Sequence, residues 1–270
     1  KKIIPNANFA AVLTIDAEAS DVALVKNVLK HTATNTAVTI DAAGSISAKD
    51  ANDIAKATTG VVTATLKDGS VAATLKALAD VDVVTGTADV LTFKTTDKTA
   101  KASDLVDLAA KIGNTNADFT SVTTVTGTAA DIADIAAALA LASAPTEPEV
   151  KISGTVAKAD LATIGTIIAA TDGKVTATLE ADTAANLVAV LNGTPGEVNA
   201  FNVTVIDNAT ATEAGELAKI AASTTGKVKL DAKDVEGTMA EVHEVYVTSK
   251  SKFTALGNEN VEITTAPASA

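Results

Sequence analysis

A seven-residue stretch that occurs twice constrains the fold more than any other feature of this chain. Gly60-Val-Val-Thr-Ala-Thr-Leu66 returns as Gly173-Lys-Val-Thr-Ala-Thr-Leu179. Each copy is a glycine turn followed by a β-branched run that favours a strand. A helical pattern of Ala and Leu follows each copy, with apolar residues at helical spacing. A strand, a turn and a helix repeated with little between them predict a repeat architecture.

The alternation of strand and helix patterns continues through the whole chain. Strand patterns recur about every 25–30 residues, a period typical of solenoids. The helices carry one apolar stripe each, as in Leu105, Leu108, Ala109 and Ile112. Strands joined through helices are expected to be parallel, with right-handed crossovers. We therefore predict an α/β fold, a parallel strand–helix solenoid of about nine units. The alternative is a closed (β/α) barrel, which has the same alternation.

A longer repeat of about 110 residues lies over the short one. Val125–Ile132 matches Val235–Val242 at an offset of 110 residues, and Val150–Ile152 matches Val261–Ile263 at an offset of 111. Pro145 and Pro148 flank the break between the two longer units. We expect an N-terminal strand–helix unit in residues 1–35, a first four-unit repeat in 36–148 and a second in 149–270, which ends in a strand and a tail.

Composition excludes several classes of function. The net charge is −12, and all 21 basic residues are lysine, so nucleic-acid binding is not expected. The chain has no cysteine, and therefore neither disulfides nor thiolate metal sites. No apolar run reaches about 18 residues, so we expect no membrane insertion. Aromatic residues make up only 2%, which predicts a core of Ala, Val, Ile and Leu. The chain begins at Lys1 without an initiator Met or an apolar signal run, so we expect a processed or excised piece.

Local signals predict how the helices begin and end. Capping boxes are expected where Ser or Thr precedes Asp or Glu by three residues: Ser47 with Asp50, Thr128 with Asp131, Thr194 with Glu197, and Thr238 with Glu241. Gly60, Gly173 and Gly226 each follow a helix pattern, and we expect them at helix C-caps with positive φ.

Candidate site residues are few. Two acidic groups offer oxygen ligands for calcium: Asp231 with Asp234 and Glu236, and Asp50 with Asp53. Their alternative role is as turn and helix-start residues that the helix dipole stabilises.

His31 and His243 have no convergent partners at helical or hairpin spacing, and no nucleophile elbow or phosphate-binding loop occurs. We therefore expect no catalytic residues, no cofactor-binding residues and no enzyme activity. Metal ligands stay unassigned: calcium is possible, but no motif supports it.

Three segments carry a resemblance to a known group of proteins. Thr58–Leu66, Val125–Asp131 and Ala255–Val261 resemble the Ala/Thr-rich α/β repeats of very large secreted bacterial surface proteins, cyanobacterial and other marine ones among them. Such proteins are often described as carrying haemolysin-type calcium-binding regions. The resemblance covers about residues 36–265 and implies an extracellular or cell-surface location. The Gly-Gly-x-Gly-x-Asp nonapeptide of calcium β-rolls is absent here, so no calcium ligands are carried over.

These observations predict a structural repeat protein of an extracellular surface layer or filament. Phe9–Ile15 and Val261–Thr265 are strand-like segments near the two ends of the chain, and open sheet edges at these ends are templates for further strands. We expect head-to-tail association with another copy, or pairing with the continuation of a longer chain. The alternative function is a calcium-dependent or glycan-binding adhesin module.

Overall fold

The structure is a computed structural model that describes residues 9–79, 89–191, 199–206 and 211–265. Strands and helices alternate and every strand pairing within its sheets is parallel, so the predicted α/β class is confirmed. The chain divides into two compact units. The first contains the chain up to Thr123 together with Ala140–Thr146, and the second contains Thr124–Leu139 and the chain from Glu147 onward.

The first unit contains ten of the described strands and helices. They are β1 (Thr14–Ala17), α1 (Val22–Leu29), β2 (Ala37–Ile40), α2 (Ala48–Ala57), β3 (Val62–Thr65), α3 (Val71–Ala77), β4 (Val90–Lys94), β5 (Thr99–Lys101), α4 (Ala102–Ile112) and β6 (Ala117–Asp118). Five of the strands form a parallel sheet in the order β1-β2-β3-β4-β6. Neighbours in this sheet are successive strands of the chain, except that β5 is passed over.

The second unit begins with β7, whose successors again alternate between strand and helix. Its elements are β7 (Thr124–Thr128), α5 (Ile132–Leu139), β8 (Glu149–Val156), α6 (Leu161–Ala170), β9 (Val175–Leu179), α7 (Ala184–Leu191), β10 (Ala200–Ile206), β11 (Thr212–Glu213), α8 (Ala214–Ser223), β12 (Val228–Asp231), β13 (Asp234–Gly237), α9 (Met239–His243), β14 (Phe253–Thr254) and β15 (Asn260–Ile263). The order β14-β12-β10-β9-β8-β7 describes its larger sheet, and β11-β13-β15 form a small one. The strands β5 and β11 have three and two residues, too few to show a period of two. β13 was not predicted because Asp, Glu and Gly, three of its four residues, are uncommon in strands.

The core consists mainly of Ala, Val, Ile and Leu, as the composition predicts, together with the buried rings of Phe93, Phe119, Phe201 and Phe253. In β9, Val175, Ala177 and Leu179 point inward and are buried, while the threonines between them are not. The predicted stripe of α4 is buried in full at Leu105, Leu108, Ala109 and Ile112. In α5 the buried residues are Ile132, Ile135, Ala138 and Leu139.

The helix starts follow the predicted caps where the structure describes them. Ser47 accepts the Asp50 N–H, and Thr238 forms a reciprocal box with Glu241. Thr128 and Asp131 also form a capping box, at a 3₁₀ turn before α5. These predictions are confirmed; Thr194 and Glu197 lie outside the described residues.

The predicted conformation of Gly60, Gly173 and Gly226 is wrong. Positive φ among the described glycines occurs instead at Gly113, Gly154 and Gly257. A Cβ built on Gly60 would lie 2.5 Å from the Thr36 carbonyl oxygen. Cβ atoms on the other two glycines would lie still closer to the carbonyl oxygens of Pro148 and Phe201 respectively. Glycine is required here because the backbone carbonyl of a neighbouring segment lies where a Cβ would be.

A threonine two residues before each of these glycines ties the same junction together. Thr58, Thr171 and Thr224 are buried and end α2, α6 and α8 in extended conformation. The Thr171 hydroxyl donates to the Pro148 carbonyl at 2.8 Å and accepts the Gly173 N–H at 3.0 Å. The equivalent bonds of Thr58 and Thr224 reach Thr36 and Phe201. We call each Thr-x-Gly segment and its carbonyl partner a threonine junction.

The steric role of glycine predicts opposite effects at two sites. Gly173→Ala is expected to lower the free energy of unfolding by about 1–3 kcal/mol, because the methyl group meets the Pro148 backbone. Gly165→Ala, inside α6 and with open space around it, is expected to raise it by about 0.5–1 kcal/mol. Urea unfolding of both variants checks this, and equal effects would contradict the steric explanation.

The hydroxyl of the junction is expected to matter in the same way. Thr224→Val keeps the shape of the side chain but leaves the Phe201 and Gly226 N–H groups without their acceptor. We expect a loss of about 1–3 kcal/mol in unfolding free energy. The control is Thr178→Val on the exposed face of β9, which should stay within about 0.5 kcal/mol of the parent chain. A Thr224→Val chain as stable as the control would show that the hydroxyl contributes nothing.

Candidate functional site

Asp50 and Asp53 lie on one face of α2 and face lysines. The Lys26 ammonium of α1 is 2.7 Å from Asp50 Oδ1 and 3.3 Å from Asp53 Oδ2, and Lys49 is 2.8 Å from Asp53 Oδ2. Hydrogen bonds from Lys26 and from the Ser47 hydroxyl hold the pKa of Asp50 below its usual value. The Lys49 hydrogen bond does the same for Asp53. The two carboxylates therefore join α1 to α2, and a cation at this place would have to displace ammonium groups.

Asp231, Asp234 and Glu236 are divided between two strands. Asp231 pairs with Lys229 at 3.3 Å, on β12. Asp234 begins β13 and accepts a hydrogen bond of 2.8 Å from the Asn260 amide. Glu236 lies further along β13, in register with glutamates of the neighbouring strands. Within the described part of the chain, no group of three or more His, Cys, Asp or Glu side chains is arranged to hold a metal ion.

Three glutamates form a column across the small sheet. Glu213 of β11, Glu236 of β13 and Glu262 of β15 stand opposite one another in the parallel register. Burial, followed by the charges of Glu236, Glu216 and Glu241, raises the pKa of Glu213. Like charges directly opposite in a sheet are destabilising. Protonation of one of these glutamates, a bound cation or a neighbouring lysine would therefore reduce the charge repulsion in the column.

A second group of carboxylates lies in the first unit, at the carboxyl end of β1. Asp16, Glu18, Asp21 and Asp41 line a shallow depression between β1, the 3₁₀ turn after it and the end of β2. Asp41 accepts the Ala43 N–H and so also shapes its own turn. This depression was not singled out in the sequence, because its residues come from two segments.

One buried carboxylate marks the start of α7. Asp182 is only 5% exposed and pairs with Lys158 at 3.3 Å. Burial opposes its ionisation, but hydrogen bonds from the Asn186 amide, the Thr183 N–H and Lys158 hold its pKa below the usual value. Asp182 accepts hydrogen bonds from Lys158, in the 3₁₀ turn before α6, and from Thr183 and Asn186 at the start of α7. It thereby connects these two segments.

The two histidines lie on the surface. His31 follows the end of α1, where its N–H donates to the Val28 carbonyl, and His243 ends α9. Both side chains are exposed. His31 therefore lies just past a helix end, whereas the helical backbone continues from His243 directly into the π-helical segment Glu244–Thr248.

Two buried polar atoms near the last strand have no hydrogen bond. They are the Tyr246 hydroxyl and Glu259 Oε1. Burial, followed by the neighbouring Glu259 carboxylate, raises the pKa of Tyr246 to about 12. Glu259 directly precedes β15, and its other oxygen accepts the Gly257 N–H.

The outer side of β15 is an open sheet edge among the described residues, since β13 is its one partner. Every residue of β15 is exposed, and Val261 and Ile263 are 42% and 45% exposed. The sequence offset of 111 residues already equates these positions with Val150 and Ile152. What sequence reasoning missed is the Glu259 carbonyl directly before them, since a backbone group belongs to no pattern of side chains. We call Glu259–Ile263 the β15 edge, and it is the best candidate for a functional surface.

The raised pKa of Glu213 predicts a pH-dependent stability. Above that pKa the ionised carboxylate weakens the fold, and below the ordinary glutamate pKa of about 4.3 the penalty is absent. Glu213→Gln is therefore expected to stabilise the chain by about 0.5 kcal/mol at pH 7, and by nothing below about pH 4. Thermal melting at both pH values measures this, with Asp172→Asn as a control of equal charge change. A gain that persists unchanged at low pH would contradict the prediction.

Comparison of the chain with protein-family models, with curated proteins and with solved structures gives no match. Among the described residues, no helix combines the length and the apolar character needed to cross a bilayer. The candidate surface therefore rests on the geometry of this chain alone.

Proposed function

We propose that this chain is a non-enzymatic structural repeat of an extracellular surface layer or filament, and that its ends associate with further strand–helix layers. Such layers would come from another copy of the chain or from the continuation of a longer one. The observation that carries the proposal is a recurring strand pair. β1–β2, β7–β8 and β13–β15 align Ile15 with Val38, Val125 with Val150, and Val235 with Val261. The third pair ends at the β15 edge.

A solenoid is the arrangement that fits these sheets best. The strand orders are linear, and successive strands of the chain are mostly neighbours. A (β/α) barrel would instead return its last strand to its first. Stacked layers also account for the many hydrogen bonds between residues 22–29 positions apart, such as those of the threonine junctions.

The charged groups support a structural role. Lys26 with Asp50, and Lys158 with Asp182, each connect one layer to the next. Side chains also cap the neighbouring layer: Asp97 accepts the Val71 N–H at the start of α3, and Glu180 accepts the Lys158 N–H before α6. Ionisable groups used in this way stabilise the stack and are not free for catalysis.

The second candidate is a calcium-dependent or glycan-binding adhesin module. The observation that favours it is the acidic depression at Asp16, Glu18, Asp21 and Asp41, since calcium prefers oxygen ligands. These carboxylates would have to move together to bind the ion, because none of the described groups is arranged to hold a metal. Both candidates agree with the resemblance to Ala/Thr-rich repeats of secreted bacterial surface proteins and with a cell-surface location.

Sedimentation velocity and electron microscopy of the chain over a wide concentration range test the proposal. Where another copy supplies the layers, the mass is expected to rise with concentration and linear particles to form. A strictly monomeric mass at high concentration would contradict association between copies. Melting in CaCl2 and in NaCl of matched ionic strength separates the candidates, because a shift specific to calcium is expected for the adhesin module.

A further inference from the structure

The three equivalent strand pairs show what the β15 edge lacks. Val38, Val150 and Val261 occupy one position of the repeat, and Ile40, Ile152 and Ile263 occupy another. Val38 and Val150 are fully buried, whereas Val261 is 42% exposed. Ile40 and Ile152 are 1% and 6% exposed, whereas Ile263 is 45% exposed. The same valine and isoleucine positions are therefore buried in β2 and in β8 but exposed in β15.

The element that covers the first two positions is the same in both units. β3 pairs with β2 through Val38 and Val62, and β9 pairs with β8 through Val150 and Val175. The Val38 N–H donates to the Val61 carbonyl at 2.9 Å, and the Val150 N–H donates to the Lys174 carbonyl at 3.0 Å. β3 and β9 are the two strands that carry the repeated Val-Thr-Ala-Thr motif.

The threonine junction adds a second requirement at the same place. Thr58 and Thr171 donate to the carbonyls of Thr36 and Pro148, the residues directly before β2 and β8. Glu259 holds the equivalent position before β15. Its carbonyl is therefore where the threonine of a further Thr-x-Gly segment would bind.

We propose that the β15 edge is a docking surface for a Thr-x-Gly-x-Val-Thr-Ala-Thr-Leu strand and its following helix, the β3–α3 or β9–α7 type of layer. The partner is another polypeptide segment of this repeat type. The inference rests on the proposed function and narrows it to one partner for this edge. Threonine would then face Glu262, as Thr63 faces Thr39 and Thr176 faces Lys151.

A natively folded second copy fits the edge less well. Its β3 and β9 are already paired on both sides, with β2 and β4 and with β8 and β10. β1 is the edge of its first sheet among the described residues. Aligning Ile15 with Val261 would place Asp16 opposite Glu262, and like charges opposite one another are destabilising.

The test uses the full chain and a fluorescein-labelled synthetic peptide of residues 171–191. Fluorescence anisotropy measures binding, and hydrogen exchange reads the amides of Val261 and Ile263. We expect saturable binding with at least tenfold slower exchange at both amides. A Gly173→Val peptide, whose side chain would meet the Glu259 carbonyl, is expected to bind at least tenfold more weakly. The Val261→Lys chain should also lose binding. Val247→Lys, at a valine that is 61% exposed in the π-helical segment Glu244–Thr248 after α9, should not.

Each other outcome overturns the inference. Equal binding of the two peptides, or no binding of either, would show that the edge does not select this layer. Protection of Val261 and Ile263 by self-association without peptide would identify a second copy as the partner, and the proposed function would stand while this inference fails. A chain that neither binds the peptide nor self-associates would contradict both.

Discussion

The close approach of two backbones at the threonine junctions is the constraint on which the rest of the structure depends. At Thr58, Thr171 and Thr224 a helix ends in extended conformation, and the chain turns directly into the next strand. The hydroxyl satisfies a carbonyl of the preceding layer and an N–H of its own turn, so buried backbone groups are not left unpaired. The glycine that follows allows the neighbouring backbone to come close. Together they set the register between one layer and the next.

A core of small aliphatic residues follows from that register. Parallel neighbours lie about 4.8 Å apart, so each layer offers room for one row of side chains. Columns such as Val125, Val150 and Val175 fill this row with residues of one shape, all fully buried. The few aromatic rings are placed singly in this core, with Phe93, Phe119, Phe201 and Phe253 all buried.

Charge is distributed to hold layers together in some places and to repel in others. Lys26 and Lys158 each meet a carboxylate of the next layer, and Lys94 meets Asp118 of the adjacent strand at 3.4 Å. The glutamates of β11, β13 and β15 stand opposite one another in the register, and burial together with the charges of Glu236, Glu216 and Glu241 raises the pKa of Glu213. Charge thus distinguishes the paired interior of the stack from its edge and makes the edge sensitive to what binds there.

The sequence by itself determined the α/β class, the parallel pairing, the buried helix stripes and the capping boxes, because these depend on periods of two and 3.6 and on contacts within three residues. It also equated Val150 with Val261 through the repeat. Tertiary structure alone decided the role of Gly60 and Gly173, since the carbonyl that requires glycine lies about 24 residues away in another layer. It also decided which lysine meets Asp50 and that three glutamates share a column. The exposure of Val261 and Ile263 was likewise set by the absence of a neighbouring strand among the described residues, because local pattern is the same for a covered strand and an open one.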